Sequence, residues 1–319
     1  MKLGIAQTAP VFMNRDATLS RARHMVQRAA AGGCAVVTFA ETFAPGYPVW
    51  LCRTDGARFE DPVQKELHSI YVDQAVCIED GHLAGVCEAA AAGKINVVLG
   101  ITERPRDRGG HSLFAARVFI DSSGKVASVH RKLMPTYEER LCWGVGDGHG
   151  LVTHRVEVGE GASRQVFTIG ALNCWENWMP LARAAIYAAG ADVIVMLWPG
   201  REWNTREITK FVAMESRSYV VSASALLRES DIAKNFPQRD RIVKPGEMLH
   251  DGGSCIAGPD GKWVVEPVAG KEELIVADLD PAAIRRERQS LDPAGHYSRP
   301  DVLKLVVDRR RQGAAEWVD

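Results

Sequence analysis

The chain has 319 residues, 46% of them hydrophobic and 25% charged, with 39 Lys plus Arg set against 40 Asp plus Glu. A general nucleic-acid binder would carry a basic excess, so that class drops out, and the ordinary apolar content excludes disordered and fibrous chains. The longest apolar runs, such as Val193–Trp198, fall far short of the roughly 18 residues a membrane span needs, which argues against a membrane partner.

Residues 1–7 read as a strand that opens the fold, not as a leader, because Gln7 and Pro10 interrupt the apolar stretch. Apolar residues at helical spacing (Leu19, Ala22, Val26, Ala29, Ala30) predict a helix over 17–31, capped by Asp16 and closed by Gly32-Gly33. A short β-branched strand follows over 35–41. A helix over 81–92 ends at Gly93 and leads into a strand over 95–102. Strands over 113–121 and 125–132 flank Ser122-Ser123-Gly124 as a hairpin. The strand Gln165–Asn173 feeds a helix over 179–189, the strand Val193–Trp198, a helix over 207–218 and a strand over 219–227. Strands over 254–257, 263–268 and 274–279 finish the core. About eleven strands and five helices predict an α/β (α+β) fold with much antiparallel pairing. No linker or repeat divides it, so 1–319 reads as a single domain. Seven cysteines without a Cys-x-x-Cys pair predict a reducing, cytoplasmic setting and neither a disulfide framework nor a zinc finger.

Three strand ends carry candidate chemistry. Cys174 follows an apolar strand and precedes a polar, aromatic stretch and a helix, where helix N–H groups would favour a thiolate. The alternative there is an inert buried cysteine. Glu41 closes a strand before the turn-rich Pro45-Gly46-Tyr47-Pro48, placed either as a general base or as a loop-tethering acid. Lys132 closes a third strand, as a solvated lysine or as a cation that stabilises developing negative charge. A base, a cation and a thiol form a coherent nucleophilic set if they converge.

Four segments carry a resemblance. Phe39-Ala40-Glu41-Thr42-Phe43-Ala44-Pro45-Gly46-Tyr47-Pro48 resembles the glutamate motif of the nitrilase (carbon-nitrogen hydrolase) superfamily. His130-Arg131-Lys132-Leu133-Met134-Pro135-Thr136-Tyr137-Glu138-Glu139-Arg140, with Trp143-Gly144-Val145-Gly146-Asp147-Gly148, resembles the lysine motif of its true nitrilase branch. Leu172-Asn173-Cys174-Trp175-Glu176-Asn177-Trp178-Met179-Pro180 resembles the nucleophile motif of that branch, and Gly295-His296-Tyr297-Ser298-Arg299-Pro300-Asp301 its late motif. The resemblance implies a four-layer αββα sandwich, dimerising or assembling further through a sheet-flanking helical face, with 281–319 as an extension used in the oligomer interface. It implies catalytic Glu41, Lys132 and Cys174, with Glu139 supporting the base or substrate, Glu138 solvated, and Glu176 in a structural role. It also implies hydrolysis of an organic nitrile to acid and ammonia without metal or organic cofactor, or, as the alternative, amidase or nitrile/cyanide hydratase activity on the same site. Tyr47, Trp50, Trp143, Trp175 and Trp178 are the expected substrate-binding wall. Ala40 stands where many members have Pro, Trp178 where Tyr is common, and His149 where a small residue is common; the short tail bears on filament assembly.

Weaker signals receive structural readings. Gly144-x-Gly146-x-Gly148 lacks the frame of a dinucleotide fingerprint. Asp147, His149 and His154 read as loop polarity and not as metal ligands. His296 reads as a hydrogen-bonded structural residue, the alternative being one that orders the C-terminal segment near the site. The runs 285–288 and 309–311 read as solvated helix faces or interface charge.

Overall fold

The computed structural model describes residues 1–313 and 315. Its elements begin with β1 (Lys2–Gln7), α1 (Arg15–Ala31), β2 (Val36–Thr38), α2 (Trp50–Arg53), α3 (Pro62–Gln74), α4 (Ala84–Gly93), β3 (Asn96–Glu103), β4 (Phe114–Ile120) and β5 (Val126–Arg131). They continue with β6 (His154–Val158), β7 (Gln165–Asn173), α5 (Pro180–Ala188), β8 (Val193–Trp198), α6 (Glu202–Ser216), β9 (Tyr219–Ser224), β10 (Leu226–Arg228), α7 (Arg239–Ile242), β11 (Met248–Ala257), β12 (Trp263–Ala269), β13 (Glu273–Asp278) and α8 (Pro281–Glu287).

One sheet has the order β13-β1-β2-β3-β4-β5. The other runs β10-β11-β9-β8-β7-β6, with β12 paired to β11. Strand alternation sorts the side chains into layers. Leu3, Ile5, Val36 and Val98 of the first sheet meet Phe167, Ile169, Val193, Val195 and Val221 of the second in the inter-sheet core. Their alternates Val37, Val97 and Leu99 pack under Leu19, Ala22, Val26, Val86 and Ala90 of α1 and α4. On the far side Ile194, Met196 and Val220 pack under Ala182, Ile186, Ile208 and Val212 of α5 and α6. Strands hydrophobic on both faces require cover on both faces, and the result is the four-layer αββα sandwich.

The structure adds to the sequence expectations and corrects several. Asn14, not Asp16, caps α1, its side chain accepting from the Ala17 N–H at 3.0 Å. Asp16 lies inside the first turn and pairs with Arg15. Helix α3, capped by Asp61 with Pro62 in its first turn, went unpredicted because its buried stripe is only Leu67 and Tyr71. Helix α6 starts at Glu202, not 207, and the strand expected over 219–227 splits into β9 and β10. His154 is no loop residue: it opens β6, stacks on Phe119 at 3.8 Å and hydrogen-bonds Ser128 Oγ at 2.7 Å. His296 lies in an exposed turn lining a surface cleft with Arg285 and Arg288, away from the strand ends named above. Of the C-terminal stretch 281–319, residues 314 and 316–319 lie outside the described residues.

Candidate active site

Chain direction brings the three strand ends together. β2 and β3 are parallel, and β4 is antiparallel to both β3 and β5, so β5 points the same way as β2. Glu41 and Lys132 therefore leave the first sheet at one edge, and Cys174 leaves β7 of the second sheet facing them. The Glu41 N–H donates to the Trp198 carbonyl at 3.2 Å, tying the two sheets at this point. Gly100 makes the approach possible: a Cβ there would lie 2.0 Å from the Ala40 carbonyl oxygen and 2.8 Å from Glu41 Cα. Cys174 itself holds φ at 47°, the left-handed region that is uncommon for a side-chain-bearing residue. The turn around it is fixed from below by Glu176, whose carboxylate accepts from the Asn173 N–H (2.9 Å), the Leu133 N–H (2.8 Å) and His130 Nε2 (2.9 Å). One buried carboxylate thus ties the nucleophile turn to the segment that carries the lysine.

Lys132 Nζ sits between two carboxylates, 2.9 Å from Glu41 Oε1 and 2.7 Å from Glu139 Oε2, with all three groups buried. Glu139 comes from the short turn Tyr137–Leu141, where it also accepts from the Thr136 N–H at 2.6 Å and the Tyr47 hydroxyl at 2.9 Å. Donor atoms of Glu41, Glu139 and Cys174 all lie within 4.8 Å of one another. Metal ligation by these three would have to displace the Lys132 ammonium, which already neutralises the carboxylates.

Burial, together with the Glu139 carboxylate and against the Lys132 ammonium, pushes the Glu41 carboxyl up to about 8. Burial and the neighbouring Glu41 also push the Cys174 thiol well above its usual range, with Lys132 opposing them. The resting thiolate expected from helix N–H groups is therefore corrected: the cysteine opens a short turn, Cys174–Trp178, ahead of α5, and desolvation outweighs the help of the Trp175 N–H. For Lys132, burial works to lower the ammonium, and Glu41, Cys174 and Glu139 overcome it and hold it well above its ordinary value. The arrangement suits a proton transfer from thiol to Glu41 made as the sulfur attacks, beside a fixed cation.

A cavity of about 320 Å³ opens onto Cys174 and Glu139. Of the five expected wall residues, Tyr47 and Trp175 line it. Trp143 stands behind the wall, edge-on to Tyr47 at 5.7 Å with Lys132 Nζ 5.8 Å from its ring. Trp50 is corrected to a core residue, 1% exposed and packed on Tyr71, because α2 turns it inward. Trp178 is likewise corrected: it lies outside the cavity, 44% exposed and tilted against Trp175. Glu138, expected in solvent, is half-buried and lines the cavity. Sequence reading missed Arg201, Asn204 and His250, which also line it from loops and element ends without a recognisable motif.

The carbon-nitrogen hydrolase family description matches residues 2–289. An arylacetonitrilase of Aspergillus niger is 33% identical, over 98% of this chain and 90% of its own length. An aliphatic nitrilase of Sinorhizobium fredii is 32% identical, over 98% of this chain and 97% of its own. The crystal structure of a carbon-nitrogen hydrolase from Helicobacter pylori superposes with a TM-score of 0.68 at 18% identity, covering 94% of this chain and 96% of that one, a likeness of fold. With these matches running nearly end to end and Glu41, Lys132 and Cys174 gathered at one buried point, the chain belongs to the carbon-nitrogen hydrolase family.

Proposed function

We propose that the protein is a nitrilase, converting an organic nitrile and two waters to a carboxylic acid and ammonia. The observation that carries the reading is the buried Glu41–Lys132–Glu139 cluster within reach of Cys174 at the floor of a cavity sized for a small molecule, in a chain whose relatives are named nitrilases. Cys174 is the nucleophile. Its proton passes to Glu41 as sulfur bonds to the nitrile carbon, and the nitrogen takes that proton to give a thioimidate. Water adds to the thioimidate carbon, and Lys132 stabilises the tetrahedral species. Glu41 takes a proton from the adding water and passes it to the nitrogen, then relays the proton of the new hydroxyl to the amine as the C–N bond breaks, so that ammonia leaves and a thioester remains. A second water, deprotonated by Glu41, expels the thiol and releases the acid. Glu139 holds Lys132 in place. Tyr47 and Trp175 are the proposed substrate-facing walls, with Trp143 backing them.

The test is chromatography of acid and amide, with ammonia measured in parallel, on aliphatic, aromatic and arylacetonitriles run beside the matching primary amides. Acid and ammonia in equal amounts support the reading. Amide as the main product makes the enzyme a hydratase, and faster turnover of every amide than of any nitrile makes it an amidase.

We further propose a homodimer or larger homo-oligomer. Exposed Trp178, Leu181, Phe211 and Met214 on the α5–α6 face support it, and exposed Leu303 and Val306 support the use of the C-terminal extension in the same assembly. The seven free thiols support a cytoplasmic setting. No helix among the described residues is long and apolar enough to cross a membrane.

A further inference from the structure

The run Arg309-Arg310-Arg311, read from sequence as solvated or interface charge, is in part neither. Arg311 folds back onto Asp147, a carboxylate 2% exposed, at 3.1 Å. The same carboxylate accepts from the Gln312 N–H at 3.1 Å and the His149 N–H at 3.1 Å. The second Arg311 nitrogen, Nη2, donates to the Val129 carbonyl of β5 at 3.3 Å. His149 Nδ1 lies 3.2 Å from the Arg309 carbonyl, and a Cβ on Gly148 would lie 2.1 Å from the Asp308 carbonyl oxygen. Val307 packs against the cluster that contains Leu151, Leu172 and Cys174. Residues 307–312 therefore form a strap across the outer side of the site.

The loop under this strap lies flat on the backbone that presents the lysine. The Gly146 N–H donates to the Lys132 carbonyl at 2.9 Å. A Cβ on Gly146 would sit 2.2 Å from the Arg131 carbonyl oxygen and 2.5 Å from that of Lys132, and one on Gly150 would sit 2.2 Å from His130 Cα. Asp147 is the link between these contacts and the strap. Burial works to raise its carboxyl, and the Gln312 N–H, Arg311 and the His149 N–H overcome it and keep the group below its usual value. The loop is therefore pinned by a charged contact near its centre. Without Arg311 it would carry a buried, under-compensated carboxylate, a state that favours displacement of the loop.

We propose that Arg311, acting through Asp147, is a positioning residue for the reaction: the strap presses the Asp147 loop against the end of β5 and keeps the Lys132 ammonium in register with Glu41 and Cys174. This rests on the nitrilase reading for the task Lys132 performs. None of residues 144–150 or 307–312 lines the cavity, so the strap acts on chemistry and not on substrate contact. A reacting group misplaced by an ångström costs on the order of 100-fold in rate.

The experiment measures nitrile turnover, and separately the rate at which iodoacetamide alkylates Cys174, in the full-length protein and in Arg311→Ala, Arg311→Lys and Arg311→Ala/Asp147→Asn. Arg311→Ala is expected to lower kcat about 10- to 100-fold with KM within about threefold. Arg311→Lys is expected to recover most of that loss. The double variant, which removes the stranded charge, is expected to be at least about threefold faster than Arg311→Ala alone. A folded Arg311→Ala with wild-type kcat overturns the proposal, as does a change confined to KM. If Arg311→Ala fails to fold, Arg311→Lys and the double variant decide: a double variant no better folded and no more active than the single one overturns it. Should wild type turn over no nitrile, the nitrilase reading falls while the alkylation arm still reads the strap. An alkylation rate changed by at least about threefold in Arg311→Ala supports positioning, and an unchanged rate overturns it.

Discussion

Glu139→Gln removes one negative charge from the site while leaving its shape. The amide oxygen can keep the contacts that Oε2 makes with Lys132 Nζ (2.7 Å) and the Thr136 N–H (2.6 Å), and the amide NH₂ can donate to the Tyr47 hydroxyl oxygen, reversing the present bond. Two effects follow. Glu41 loses the repulsion of a carboxylate whose oxygen lies within 4.8 Å of the other donor atoms of the group; at an effective dielectric of about 20 this repulsion amounts to roughly 3 kcal/mol, equivalent to about two pH units. Lys132 loses a charge-assisted hydrogen bond, which at about 1.5–3 kcal/mol lowers the plateau rate by about 10- to 100-fold. In the proposed role of base Glu41 must be ionised, and its carboxyl is raised to about 8. Activity of the native enzyme should therefore rise with pH through a limb near 8, and Glu139→Gln should move that limb down, to about 6–7. The assay is ammonia release at low substrate concentration from pH 5 to 9.5, which reports kcat/KM and hence the free enzyme. A limb that stays in place or moves up would refute the coupling of Glu139 to Glu41.

Cys174→Ala should abolish turnover while leaving the circular dichroism spectrum unchanged, and persistent product formation would remove Cys174 as nucleophile. Lys132→Ala should leave a folded protein with at least about 100-fold lower kcat, since it deletes the charge that faces the reacting centre; near-native kcat in a folded variant would reassign it. Glu176→Ala strands the Asn173 and Leu133 N–H groups together with His130, so urea titration should show a loss of about 3 kcal/mol or more, and Glu176→Gln clearly less. Burial raises the Glu176 carboxyl, but His130 and the two N–H groups hold it below its usual value. Its share of stability is therefore fully present above the ordinary glutamate range and should be lost as pH falls through its lower folded value. Gly100→Ala would place a methyl 2.0 Å from the Ala40 carbonyl and should lower the melting temperature and the activity together.

The strands that carry Glu41 and Cys174 were legible because each is a largely apolar run ended by a polar residue, and the one before Lys132 because it follows the Ser122-Ser123-Gly124 turn, whereas the four layers were expected only from the family resemblance. The convergence of these strand ends was not legible from residue pattern alone, because it depends on β5 running parallel to β2 across an intervening antiparallel strand. The aromatic wall failed where a local turn decided orientation: α2 rotates Trp50 into the core, and the turn after Cys174 leaves Trp178 facing outward. The state of the Cys174 thiol was misread because burial, a property of the assembled site, outweighs the local backbone dipoles that the sequence suggests. Arg311 read as surface charge because its partner Asp147 lies 164 residues away.

The hydrogen bond from the Glu41 N–H to the Trp198 carbonyl crosses from one sheet to the other. The proposed base and cation belong to one layer and the proposed nucleophile to the other, so the distances among them are set by how the two layers sit on each other and not by either layer alone. Catalytic competence is then a sensitive gauge of interlayer slip. Hydrostatic pressure or dilute denaturant that loosens the contact of Leu3, Ile5 and Val98 with Phe167 and Val195 should silence the enzyme while both sheets, and their far-ultraviolet signal, persist.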